Sequence, residues 1–415
     1  MPPVRQEFID LIRSTNTCFL GGMYVPFSPG HMISELDNFL RMRQLGEVSP
    51  SRPYLGVFKP TPVNLPTHLA RAFPSIFNSA AGLQLIEDES LYLEALEIQM
   101  ALPGHYVDVG LSHLKIRLED PLDQAESRLH DTGGPRSPFW FISQRILSKA
   151  NMQWYRRRAQ SSDYCPWRTM PPLLPELASF VGADQGPLAL LHARTGPRLG
   201  ADNAGVGPAT EDLYPTIDHL RAKGFRIVKF GTEPCPQEWR DRGVIDYSGS
   251  SYRNFYNDIC LIGAAAIALF NGTGMSALSD VLGKPLVSYG HWHLPWMPQT
   301  PRAVIVPALM RSRATGRLWR FAEQIAFYRQ STEFWEPGNA ISFPQATHEA
   351  IVPTGDDILA AVEEALTLAG DVVPPRSALQ ERFHALEANG YYKYGRSRVG
   401  QAFLERHSQG LDEGY

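Results

Sequence analysis

The stretch Ala264–Gly290, AAAIALFNGTGMSALSDVLGKPLVSYG, decides the fold. Its apolar run 264–270 reads as a buried strand, and Asn271–Gly274 as a tight loop. Ser276–Leu282 has helical character, Gly283-Lys284-Pro285 closes it, and Leu286–Tyr289 is a second apolar run. A strand, a glycine loop, a helix and a strand joined this closely make a parallel βαβ unit with a right-handed crossover. Strands buried on both faces read as continuous apolar runs, as these do.

Working outward toward the N-terminus, Leu188–Ala193 is a strand of the same kind, followed by a loop with Gly196, Gly200, Gly205 and Gly207. The pattern predicts a helix over Glu211–Lys223 closed by Gly224, a strand over Arg226–Phe230, and a helix over Arg253–Ile262. Beyond the deciding stretch, helices are expected over Asp356–Leu368 and Arg396–His407. In the first half the signals are weaker. They are a helix over Val4–Ile12, a strand over Thr17–Leu20, a helix over Met32–Leu45, a strand over Tyr54–Phe58 and a helix over Thr67–Phe77. Leu122–Arg136 reads as a loop and Pro138–Arg158 as a helix. The proline-rich Cys165–Pro175 is the expected linker. The expected division is 1–175, 176–390, and a C-terminal element 391–415 that packs back on the first domain.

The chain has 415 residues, 43% apolar and 20% charged, with a formal net charge of −4. That is a packed globular composition without the basic excess of a nucleic-acid binder. Cys18, Cys165, Cys235 and Cys260 are far apart, which excludes a zinc ribbon, a CxxC redox motif or a dense disulfide framework. No run of 18 apolar residues occurs, and the first residues lack a signal-peptide pattern. A cytoplasmic protein is expected, with peripheral contact to the inner membrane as an open option. Gln153–Arg158 interleaves aromatic and basic residues, suited to anionic lipid or an acidic acceptor, or simply a solvated helix face.

Ligands of open parallel sheets bind beyond the carboxyl ends of the strands, so loop residues there are the candidates. His192 and Arg194 end one strand on the same side, and the arginine fork matches phosphate oxygens. Their alternative roles are a packed histidine and a surface ion pair. Asn271, Gly272, Thr273, Gly274 and Ser276 form a loop whose glycines allow close backbone approach to an anion; Thr273 or Ser276 can also cap the helix. Gly272, Gly274 and Ala277 formally match a dinucleotide fingerprint, but His291–Thr300, about 20 residues on, offers no carboxylate for a ribose. There is no P-loop motif. Lys229 would place charge beside a phosphate or sit exposed at a sheet edge. Asp246 and Tyr247 would contact a base or sugar, or form a turn with a helix cap. His291-Trp292-His293 would contact a base or sugar; a zinc site would need more ligands than the sequence supplies there. In the first half, Gly30-His31 opens a helix that carries Glu35 and Asp37. A neutral His31 near a helix N-terminus could take a proton from an acceptor hydroxyl. The plain alternative is a histidine packing the turn, with Glu35 and Asp37 solvated.

Together these motifs resemble a little-characterised bacterial family of glycosyltransferases, most strongly over Leu188–Gly290. The residues that carry the resemblance are His192 and Arg194, Lys229 and Gly231, Asp246 and Tyr247, Asp258, Thr273-Gly274, and Gly283-Lys284-Pro285. Gly30-His31 with Leu40, and Arg396–His407, resemble its terminal elements. The chain departs in having Thr195-Gly196 where the family has an arginine and an aspartate, and fewer serines in the 271–276 loop. The His-x-Arg strand end is also similar to fucosyltransferases, where the arginine holds the diphosphate of a GDP-sugar. The resemblance implies α/β architecture of GT-B type, two Rossmann-like domains facing a cleft, with the donor in the C-terminal domain and the acceptor in the N-terminal one. It implies transfer from a nucleotide-activated sugar to a glycan or other cell-surface acceptor, as in polysaccharide biosynthesis, without metal or other cofactor. Arg194, helped by Lys229 and the Gly272–Ser276 loop, would stabilise the departing nucleotide. His31 or Glu35 would activate or position the acceptor. A non-catalytic nucleotide-sugar or glycan binder, or a sugar epimerase, could use the same scaffold.

Overall fold

The computed structural model describes residues 6–21, 29–58, 60, 63–78, 82–92, 102–108, 153–193, 207–271, 274–291, 294, 298–333, 347–370, 372–386 and 395–411. They fall into two compact units, one up to Pro171 and one from Pro172 onward.

In the first unit, β1 (Cys18–Gly21), β2 (Tyr54–Phe58), β3 (Leu83–Glu87) and β4 (Tyr106–Asp108) form a parallel sheet in the order β3-β2-β1-β4. Gly56 lets β2 and β3 approach, since a Cβ there would lie 2.9 Å from Leu85 Cδ2. The helix Pro29–Gln44 is expected to bury one face, yet it is buried almost all round. Ile33, Leu36 and Phe39 are buried, and so are Ser34, Glu35, Asp37, Asn38 and Arg41. The reason is a second cover supplied by the segment 153–167. Trp154 Nε1 and Trp167 Nε1 donate to Asp37 Oδ2 and Oδ1 at 2.8 and 3.0 Å, and Arg41 Nε donates to Oδ2 at 2.8 Å. Burial alone would raise the Asp37 carboxyl, but the Arg41 and Arg158 guanidiniums and these hydrogen bonds hold it below its ordinary value. Asp37 and Glu35 are therefore buried, in contrast to the solvated positions that the plain alternative assigns them.

The same packing takes up the aromatic residues of Gln153–Arg158, while Gln153 and Arg156 stay exposed. Trp154 and Tyr155 are buried, Arg157 is paired with Glu47 at 2.6 Å, and Arg158 lies over the Trp154 ring. The preceding residues 109–152, which include the loop expected at Leu122–Arg136, lie outside the described residues.

In the second unit, β5 (Leu188–His192), β6 (Arg226–Lys229), β7 (Ile245–Asp246), β8 (Ala265–Asn271), β9 (Leu286–Tyr289), β10 (Ala303–Val306) and β13 (Arg398–Val399) form a seven-stranded parallel sheet among the described residues. The spatial order is β13-β10-β9-β8-β5-β6-β7. Counted along the chain, this is the doubly wound order 3-2-1-4-5-6 with one further strand, and its reversal point lies between β5 and β8. The expected α/β class with parallel, helix-connected sheets is what each unit has. A separate two-stranded sheet pairs β11 (Leu309–Ser312) antiparallel with β12 (His348–Ile351).

Several sequence expectations shift by a residue or two, for local reasons. The helix expected over Glu211–Lys223 is a 3-10 turn, Thr210–Leu213, followed by a helix, Tyr214–Ala222, because Pro215 suits only a first helical turn. Gly224 does close it, at φ +83. Lys284 of the Gly-Lys-Pro sequence has a structural role. Its ammonium donates to the Gly263 carbonyl near the end of the helix Phe255–Ala264. The helix Gly355–Thr367 begins with Thr354 and Asp357 capping each other, and lays Ile358, Ala361, Val362 and Ala365 into the core.

In the C-terminal element β13 pairs with β10, and the helix Gln401–Arg406 places Phe403 and Leu404 in the second unit's core. Arg406 fastens it to the buried Asp357 at 2.6 Å. Among the described residues no helix is long and apolar enough to cross a membrane.

Candidate functional site

Register along the second sheet lines up its carboxyl edge. Leu191 of β5 is level with Lys229 of β6, which is level with Asp246 of β7. On the other side His192 is level with Phe270 of β8, and Asn271 with Tyr289 of β9. The residues that sequence reading singled out on separate motifs are thus neighbours along one edge. His192 and Asn271 end the two strands at the reversal point, the place where open doubly wound sheets take ligands in general.

His192 is buried and fixed from several sides. The Tyr289 hydroxyl reaches across from β9 and donates to the His192 carbonyl at 2.7 Å. Glu233 Oε2 lies 3.6 Å from His192 Nε2. Gly231, at φ +105, closes over the ring, and a Cβ there would lie 2.8 Å from Nε2 and nearer still to Cδ2. Only glycine accepts both that conformation and that approach. Asn271 is also buried, its Nδ2 donating to the Tyr289 carbonyl at 3.1 Å. Tyr289 therefore ties the ends of β5 and β8 to β9.

Lys229 is neither an exposed edge lysine nor a cation laid open to a ligand. It is fully buried, and Nζ donates to the carbonyls of Phe230 and Glu233 at 2.8 and 3.2 Å. Burial pushes its ammonium below the usual lysine range, against the charges of Glu233 and Asp246. These bonds clamp the loop 230–233. Asp246 forms a turn, accepting from Ser248 Oγ at 2.6 Å and from Gly249 N at 3.1 Å, with Arg240 at 3.1 Å. Burial would raise its carboxyl, but those donors, Arg240 and Lys229 hold it below its ordinary value.

Tyr247 was expected to contact a base or sugar. It is fully buried, stacks on Phe230, and donates to Asp258 Oδ1 at 2.8 Å. An apolar ring next to a β-strand end packs inward here, and its hydroxyl needs the partner that Asp258 supplies. Burial pushes the Asp258 carboxyl up to about 7, against the Tyr247 hydrogen bond and the charge of Arg253.

Gly274 is exposed and Ser276 half-buried at the start of the helix Met275–Val281, while Gly272 and Thr273 lie outside the described residues. His291 is half-buried just past β9, and its carbonyl accepts from Ala308 N at 3.0 Å. Trp292, His293 and Arg194 lie outside the described residues. In the first unit the backbone of His31 lies in the helix Pro29–Gln44, and Glu35 on the same helix is only 1% exposed. Among the described residues no group of three or more His, Cys, Asp or Glu is placed to hold a metal.

Sequence reading missed Glu233, Tyr289 and Asp280. Asp280 Oδ1 accepts from the backbone N–H groups of Gln299 and Thr300 at 2.8 and 2.6 Å, anchoring the loop that leads into β10. No motif marks these residues, because each acts on backbone or side chains brought near only by the sheet. The one local signal was the spacing of Gly231 and Glu233 after a strand.

No protein-family model and no curated protein sequence matches the chain. Among solved structures, it is similar to E. coli ADP-heptose lipopolysaccharide heptosyltransferase II at 12% identity, covering 85% of this chain and 98% of that one, with a TM-score of 0.42. It is similar to a family 9 glycosyl transferase of Veillonella parvula at 11% identity, covering 85% and 97%, with a TM-score of 0.43. It is also similar to the iron-containing dodecameric glycosyltransferase TibC of enterotoxigenic E. coli at 11% identity, covering 85% and 75%, with a TM-score of 0.43. None of these three is a fucosyltransferase, the comparison that the His-x-Arg strand end suggested. At these scores, what those proteins bind stays a property of theirs.

Proposed function

We propose that the chain is a glycosyltransferase whose second unit holds the nucleotide of an activated sugar at the carboxyl edge between β5 and β8. The observation that carries this reading is the strand order, which reverses where His192 and Asn271 end adjacent strands. A reversal point in a doubly wound sheet is where such folds take their ligands. The sequence there supplies suitable chemistry. Arg194 follows His192 by two residues, and Asn271 opens the glycine loop to Gly274.

On this reading the Arg194 guanidinium neutralises charge that develops on the departing diphosphate, which makes a metal unnecessary. The loop glycines admit backbone N–H groups to the phosphates. Lys229 serves the site by holding the 230–233 loop, not by touching the ligand. His31 takes the proton of the acceptor hydroxyl, the acceptor being a glycan or similar alcohol. Glu35, with 1% exposure, shapes the helix that carries His31.

The test is a thermal-shift screen with GDP, UDP, ADP, CDP and TDP, because a ligand that binds only the folded state raises its apparent stability. We expect one of them to raise the melting temperature, and Arg194→Ala to weaken its binding at least tenfold, the loss of one charge-assisted contact. Equal affinity in Arg194→Ala would remove that residue from the site. Slow hydrolysis of the matching nucleotide sugar, or transfer to an added acceptor, separates an enzyme from a binder.

A further inference from the structure

We infer that the second unit carries a separate carbohydrate site: a groove between the helix Pro175–Val181 and the loop before the helix Phe255–Ala264 takes a neutral pyranose ring. The groove measures about 500 Å³ and is lined by Pro175, Glu176, Ser179, Phe180 and Tyr252. That volume lies within the range of small-molecule sites, roughly 300–1,000 Å³. None of the five is a residue assigned above to the nucleotide, so the inference does not rest on that reading.

The sequence explains how these side chains converge. In the helix Pro175–Val181, Leu177 and Val181 are buried, four residues apart on one face. Glu176, Ser179 and Phe180 follow the i, i+3, i+4 spacing that gathers side chains on a neighbouring face. Glu176 and Ser179 are exposed there, and Phe180 is half-buried. Tyr252, also half-buried, comes from the loop. Its carbonyl accepts from Asn257 Nδ2 at 2.6 Å and from Asn254 Nδ2 at 3.3 Å, which ties the ring's backbone to the start of the next helix. The Phe180 and Tyr252 rings meet with centroids 5.0 Å apart and planes inclined at 38°.

The chemistry of the lining selects the ligand. A pyranose presents C–H groups on its faces and hydroxyls around its rim. The negative face of an aromatic ring attracts such C–H hydrogens, and two inclined rings offer a wider apolar platform than one. The Glu176 carboxylate accepts strongly from hydroxyls, while the Ser179 and Tyr252 hydroxyls can donate or accept. Among the described residues the side chains of Glu176, Ser179 and Tyr252 make no hydrogen bond or ion pair, so these groups are open to a ligand. None of the five lining residues is basic, and Glu176 adds a negative charge. A phosphate would find no counter-charge among them and would be repelled. A wholly apolar ligand would strip water from Glu176 without replacing it. A neutral polyol satisfies both the rings and the carboxylate.

The experiment titrates the full chain with the methyl pyranosides of glucose, galactose, mannose and N-acetylglucosamine, followed by saturation-transfer NMR. We expect at least one to bind with a Kd on the order of 1 mM, with transfer strongest at the C–H protons of one ring face. Phe180→Ala and Tyr252→Ala each weaken it by about tenfold, the size of one aromatic contact, and Tyr252→Phe keeps most of the affinity. Glu176→Gln weakens it by about threefold, since it keeps an acceptor but loses the charge. Melting temperatures read any loss of fold, and the conservative Tyr252→Phe and Glu176→Gln carry the test if an alanine variant unfolds. Absence of binding by all four glycosides would overturn the inference, as would wild-type affinity in both alanine variants. Two other occupants are checked with the same proteins. If GDP, UDP or ADP binds and loses affinity in Tyr252→Ala, the rings serve a nucleotide and the inference falls. It falls also if tetramethylammonium binds in place of the glycosides and is lost in Tyr252→Ala and Glu176→Gln, the mark of a cation site. The thermal-shift screen with nucleotides and Arg194→Ala decides the nucleotide reading separately.

Discussion

Asp37 is a fully buried carboxylate and Asp258 a half-buried one, and their surroundings drive them in opposite directions. Asp37 accepts hydrogen bonds from Arg41, Trp154 and Trp167 and stays ionised. Asp258 meets the Tyr247 hydroxyl and the field of Arg253, which do not offset burial, so its pKa rises from 3.8 to about 7. A carboxyl raised in the folded state adds stability that is fully present below its unfolded value and lost as pH climbs through the folded one. The Asp258 contribution is therefore present below about pH 3.8 and gone above about 7. For Asp37 the sign reverses: its contribution is present above its unfolded value and lost as pH falls through the lowered one. We expect Asp258→Asn to flatten the loss of melting temperature between pH 4 and pH 7.5 that wild type shows from this group. Melts across that range check it, and parallel curves for the two proteins would refute the assignment. The sequence displays Tyr247 and Asp258 eleven positions apart. It does not tell which way the tyrosine turns, since that depends on Phe230 and the sheet beneath it.

At the scale of elements, single glycines decide how segments meet. Gly355 opens the helix Gly355–Thr367 directly against the 3-10 turn Thr210–Leu213, where a Cβ would run into the Asp212 carbonyl. That neighbour is backbone and cannot swing aside. Gly355→Ala is expected to destabilise the second unit by about 1–3 kcal/mol, the usual cost of overpacking. Urea unfolding reads it, and an unchanged midpoint would show that the turn can yield. Element boundaries were legible where chemistry is local. Tyr54–Phe58 and Leu286–Tyr289 are strands over the residues their apolar runs occupy. The short strands β7, β10 and β13 were not read as strands, because such short runs owe their conformation to the neighbour they pair with.

Over the whole molecule, residues 398–411 belong to the sheet and core of the second unit. Residues 398–399 add the edge strand β13, and Phe403, Leu404 and Leu411 enter the main core. Removing residues 386–415 exposes the β10 edge and empties four core positions, Val399, Phe403, Leu404 and Leu411. We expect the second unit of the truncated chain to lose its cooperative thermal transition, as followed by circular dichroism, with a retained sharp transition as the contrary result. The sequence by itself determined the parallel α/β class and the strand ends that carry His192, Lys229, Asp246 and Asn271. Apolar runs, glycine loops and helical periodicity are local, and they repeat along the chain. Only the tertiary structure decided which of those residues end together at the reversal point and which are spent inside. Lys229 and Tyr247 went inward to a loop and a carboxylate, while Glu233 and Tyr289 came to His192. The physical reason is that strand order and register, which sequence pattern leaves open, set the neighbours of every buried polar group, and each such group must be matched where it lands.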